Sequence, residues 1–133
     1  MTYVIVTTNV PMKRIQDLLC SALEGGSGYW ASVIGVEEPF QIIDRFNKSE
    51  ILPNIDYPTN PGGALLVLDT EAHTKFRLAH TKFRLDLPAI RRGIQVMADD
   101  SPLHFAHFIS ERDDALTGDV FLQCCLFGKV VYG

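Results

Sequence analysis

Residues 120–127, VFLQCCLF, are apolar in every position but Gln123. Thr117 is placed to cap this segment, Asp119 lies in its positive first turn, and Gly128 stops it. The resulting helix has no polar face. Such a helix has to be covered on every side, so the rest of the chain must be arranged around it. With 133 residues, the chain is large enough to bury roughly two-thirds of its unfolded surface in one domain spanning residues 1–133.

The other segments supply the cover. Residues 3–8 are rich in β-branched side chains and read as a strand. Asn9 can cap a following helix that begins with Val10 and Pro11, carries Ile15, Leu18, Leu19, Ala22 and Leu23 on one face, and ends at Gly25. Residues 29–36 favour a strand, and residues 64–68 form the continuous apolar run of a central strand. Between them, residues 37–63 hold four prolines and read as an irregular excursion with one short edge strand near residues 40–43. Asp86 caps a helix over residues 87–98, and Ser101 begins a shorter one that reaches about Ser110. Residues 130–132 can add a last strand. The fold class expected is α+β, with a mainly antiparallel sheet of four or five strands packed against about three helices, the C-terminal helix being central.

An exact repeat interrupts this plan. Residues 72–78 and 79–85 both read AHTKFRL. Side chains alternate along a strand with period two, so inserting seven residues reverses the face of everything beyond unless one copy is looped out. One copy is therefore expected in the sheet and the other in a projecting arm. In a strand Lys75 and Arg77 share a face, as do Lys82 and Arg84, which makes this the one basic stripe in a chain of net charge −4, a candidate contact for an acidic partner or a phosphate, or simply a solvated face. That overall charge gives no cationic field, so nucleic acid is not expected as a primary partner.

Three cysteines, Cys20, Cys124 and Cys125, are an odd count with no metal-ligand spacing, which suits small core side chains in a reducing cytoplasm. No apolar run approaches the length of a membrane span. His104 and His107 lie three apart on one helical face and are weak metal candidates, since a catalytic zinc site needs a third protein ligand and HExxH is missing. No cofactor is called for. In the loop EGGSGYW, Ser27, Tyr29 and Trp30 can contact a ligand that approaches the glycine backbone. The same residues also fit a helix end followed by a buried aromatic anchor. Neither the GxSxG of a nucleophile elbow nor the GxxxxGK[ST] of a phosphate loop is present. Thr117 and Asp119 can form a polar site at a helix start, or simply finish that helix.

Four strings, DLLCSALEGGSGYW, the glycine pair Gly62-Gly63 before the apolar strand, RGIQVMADDSPLHFAHF and TGDVFLQCCLFGKVVYG, resemble a family of small proteins encoded by tailed phages and prophages. The likeness covers most of the chain outside the proline-rich excursion. Its most specific parts are EGGSxYW and TGDVFLQ. The duplicated AHTKFRL is an addition to the family pattern, and Lys129 stands where an acidic residue is expected. The resemblance implies a cytoplasmic protein of the infected or lysogenic cell that acts by binding rather than turnover. The partner implied is a host or defence protein, as in anti-CRISPR inhibition, or a small signalling nucleotide. The alternatives are a small metal-assisted hydrolase using His104, His107 and a nearby aspartate, and a structural protein of the virion or of host takeover. An exposed strand edge or extended arm would favour a homo-oligomer.

Overall fold

The computed structural model describes residues 2–38, 41–44, 57–72 and 81–133, the backbone alone for 41–44. The fold is α+β. Helix α1, Met12–Ser21, runs on through a π-turn at Ala22–Gly26. Strands β1, Ala31–Glu38, and β2, Gln41–Asp44, come next, followed by a 3₁₀ turn at Tyr57–Thr59 and strands β3, Ala64–Asp69, and β4, Lys82–Asp86. Three helices complete the chain: α2, Leu87–Asp100; α3, Pro102–Ile109; and α4, Ala115–Phe127. These four α-helices, with residues 70–72 also helical, stand among the described residues where about three helices were expected.

The sheet is antiparallel throughout, in the order β2-β1-β3-β4. Its apolar alternation decides which face is covered. Val36, Leu65, Val67 and Leu85 join the side chains of α1, α2 and α4 in one core, whereas Lys82 and Arg84 stand on the opposite face. A bulge between Val33 and Gly35 keeps β1 in step with β3. The second AHTKFRL copy supplies β4. The first, Ala72 apart, lies outside the described residues.

Helix α4 occupies the centre, with every residue from 117 to 125 buried. Two glycines let its neighbours come that close. A Cβ on Gly93 of α2 would sit 2.3 Å from Cys125 Sγ, and one on Gly118 would sit 2.9 Å from the backbone nitrogen of Ala22. Gly128 ends α4 in the left-handed conformation at φ 70°.

Four sequence expectations are corrected. Residues 3–8 pair with no described strand. Strand-forming side chains supply propensity, but a strand exists only where a sheet edge receives it. Helix α1 starts at Met12 with Pro11 as its cap, because the ring of Pro11 keeps Val10 out of helical geometry and leaves Asn9 too far upstream. The helix passes the expected stop at Gly25 because the π-turn carries it to Gly26, where a Cβ would lie 2.1 Å from the Ala115 carbonyl oxygen. Residues 130–132 do not join the sheet, being held instead by the side chain of Gln123.

Candidate functional site

The start of α4 positions the first group. Asp114 is its N-cap. It accepts a hydrogen bond from the Thr117 backbone N–H at 3.0 Å, while the Thr117 hydroxyl accepts one from the Asp114 N–H at 3.4 Å. This reciprocal pair corrects the expectation that Thr117 caps the helix: it is the third residue in, and the capping carboxylate lies three positions earlier. Asp119 therefore sits beyond the first turn and points into the protein. It is only 2% exposed.

The π-turn at the end of α1 delivers what meets it. Closing a wider ring, from Ser27 N–H to the Ala22 carbonyl at 2.8 Å, turns the chain so that residues 27–30 face α4. Ser27 Oγ and Trp30 Nε1 then donate to Asp119 Oδ1 at 2.8 and 2.7 Å, and Tyr29 OH donates to Oδ2 at 2.6 Å. Four of the five candidates from two distant motifs, Ser27, Tyr29, Trp30 and Asp119, are thus one cluster. No cation lies among these partners; three donors stabilise the buried carboxylate.

A second branch reaches the C-terminus. Gln123 Oε1 accepts from the backbone N–H groups of Val131 and Tyr132, both at 2.8 Å, and its Nε2 donates to the Tyr132 carbonyl at 3.1 Å. The Tyr132 hydroxyl donates to Asp69 at the end of β3, at 2.8 Å. Asp69 also accepts from the Ala72 N–H. Trp30 lies stacked on Tyr132 with ring centroids 5.6 Å apart, and tilted against Phe127 at 5.0 Å. Sequence reasoning missed Asp69, Gln123 and Tyr132 as members. The signal was Gln123 itself, because a lone amide in a fully covered helix has to be satisfied by protein groups.

This arrangement holds rather than reacts. Trp30 and Ser27 are buried, so neither offers a ligand a surface, whereas Tyr29 is 53% exposed at its outer side. Partial burial, then the hydrogen bond to Asp119 and its charge, push the Tyr29 hydroxyl up to about 12. Burial and Asp69 do the same to Tyr132. Both phenols keep their protons at neutral pH. Burial likewise pushes Cys124 up to about 11 and Cys125 well above the ordinary thiol range, so neither is a thiolate nucleophile.

The remaining candidates stand apart from this cluster. Arg84 is engaged by Glu37 at 2.7 Å and by Asp86, and Lys82 is exposed beside it. Lys75 and Arg77 lie outside the described residues. His104 and His107 face each other edge-on with centroids 6.3 Å apart, and His104 Nδ1 stands 3.5 Å from the Thr117 hydroxyl. Among the described residues no three His, Cys, Asp or Glu side chains come together as a metal would need. No helix among them is long and apolar enough to cross a membrane. A cleft of about 290 Å³ lies between Gly62-Gly63 and Arg91, and one of about 450 Å³ between residues 6–10 and helices α2 and α3. Neither is lined by Ser27, Trp30 or Asp119. Compared with protein families, curated proteins and solved structures, the chain matches none.

Proposed function

We propose that this protein is a non-enzymatic accessory protein of a tailed phage or prophage that acts by binding a host or defence protein. One observation carries the reading: among the described residues the polar side chains of the two motifs are engaged with one another, while large apolar side chains are turned to solvent. Tyr3, Val4, Ile5 and Val6 are 76–86% exposed. On α3, Leu103, Ala106 and Ile109 recur along one flank of the helix, and all three are exposed. Apolar surface presented in this way is what a protein partner covers. Burial of Trp30 takes away one of the two neighbouring aromatic faces that a nucleotide could stack on, leaving Tyr29 alone, which favours a protein over a signalling nucleotide.

Affinity capture from infected cells tests the reading, with the Leu103→Asp/Ile109→Asp variant as comparison. Both side chains are exposed, so the variant keeps its fold and its circular dichroism. The wild-type chain is expected to enrich a host protein that the variant loses. Equal capture by both, or turnover of a substrate abolished by Asp119→Asn, would overturn it.

A further inference from the structure

We infer that the N-terminal arm, residues 2–8, is a pairing strand for the same arm of a second copy, so that two chains join through a two-stranded antiparallel ribbon. The inference rests on the reading of the exposed apolar surface as contact surface, and it assigns the arm's half of that surface to self-association.

The arm sequence TYVIVTT is strand-forming, yet none of its backbone groups is hydrogen-bonded to another described residue. Four consecutive apolar residues, Tyr3 to Val6, place apolar side chains on both faces of any strand they form. Such a strand needs a hydrogen-bonding neighbour and cover for its faces. The chain's own β4 edge is protected against pairing by Lys82, Arg84 and Asp86, whereas the arm carries no charged side chain before Lys13. An uncharged strand finds its match in an identical uncharged strand.

A two-fold axis makes that match antiparallel and reciprocal. The floor is already present. The cleft of about 450 Å³ runs beside the arm, with Val6 and Val10 on one wall and Ile94, Ala98 and Phe105 on the other beside the polar Gln95 and Asp99, so one face of a ribbon has a partly apolar seat in each copy.

The area suffices. A fully buried aliphatic side chain removes roughly 60–120 Å² from water and a tyrosine about 150–250 Å². With one face of each arm seated, two arms and the surfaces they cover bury on the order of 800–1,500 Å², which reaches the lower range of a specific interface.

Sedimentation of the full chain across the micromolar range provides the test, beside a chain lacking residues 2–8, an Ile5→Pro variant and an Ile5→Val control. Proline removes an N–H from the ribbon, and the arm lies outside the core, so the helical circular-dichroism signal should be the same in all four. The full chain and the valine control are expected to dimerise; the truncated and proline chains are expected to sediment as monomers. A tagged truncated chain mixed with full chain should capture none of it, because pairing requires two arms. A full chain that stays monomeric, a dimer that survives truncation, or capture of full chain by truncated chain would each overturn the inference. A monomer whose truncation abolishes host-protein capture overturns arm pairing and leaves the binding reading standing. Capture unaffected by the α3 variant removes that reading whatever the sedimentation shows.

Discussion

Replacing Asp119 by alanine removes the acceptor of three hydrogen bonds at once, and their environments set the cost. The Ser27 hydroxyl and Trp30 indole N–H are buried, so each is left without water or protein partner at about 1–3 kcal/mol. Tyr29 is half exposed, and water takes over most of its hydrogen bond. The three bonds offset the cost of burying the carboxylate and vanish together with it, so the two orphaned donors set the balance. The balance is a net destabilisation of about 2–5 kcal/mol, a large part of the 5–15 kcal/mol typical of a domain. Asparagine keeps an oxygen for Ser27 and Trp30 but loses the charge and turns an amide toward Tyr29, and should cost about 1–2 kcal/mol. Urea unfolding followed by circular dichroism and by the single tryptophan measures both. A double-mutant cycle with Trp30→Phe should show coupling of about 0.5–3 kcal/mol. The reasoning fails if Asp119→Ala unfolds within about 0.5 kcal/mol of wild type, or if asparagine is worse than alanine.

Three further outcomes follow from the same packing. Gly93→Ala should destabilise by about 1–2 kcal/mol although alanine is the better helix former, because its Cβ would meet Cys125 Sγ at 2.3 Å and Cys125 Cα at 2.7 Å; thermal unfolding reads the sign. Tyr29 and Tyr132, both pushed up to about 12, should show phenolate absorbance only near that pH while folded. Because the unfolded chain releases these protons first, their contribution to stability is complete below about pH 10 and lost as pH rises through about 12; ionisation of both near pH 10 in the native state would contradict the hydrogen bonds drawn here. Asp114→Ala should cost about 0.5–2 kcal/mol at neutral pH. Donation from the Thr117 backbone N–H holds the Asp114 carboxyl below its usual range, despite partial burial. The stability it supplies is present above its unfolded pKa and disappears as pH falls through the folded value, so the difference from wild type, measured by chemical denaturation, should shrink in acid.

What the sequence revealed depended on how local the cause was. The missing polar face of α4, the Asp86 cap and the apolar run of β3 are properties of a few consecutive residues, and each expected element is present. The start of α4 is also local, yet two neighbouring residues both fit a cap. Only geometry shows that Asp114 takes the position and Thr117 reciprocates. The Asp119 cluster is different in kind. Its donors lie 89 to 92 positions away along the chain, so spacing cannot relate them, and Asp119 looked like an ordinary first-turn acid. Residues 3–8 and 130–132 have β-branched composition, but pairing depends on a free and compatible edge elsewhere in the fold. The second set instead found Gln123.

Exchange of the Trp30 indole N–H with solvent deuterium tests most directly whether the two motifs form an internal fastening. Its donor bond to Asp119 at 2.7 Å and its full burial predict exchange only when the domain opens globally, with Asp119→Asn accelerating it. An indole N–H that exchanges in the native state as quickly as one on a surface would contradict the account.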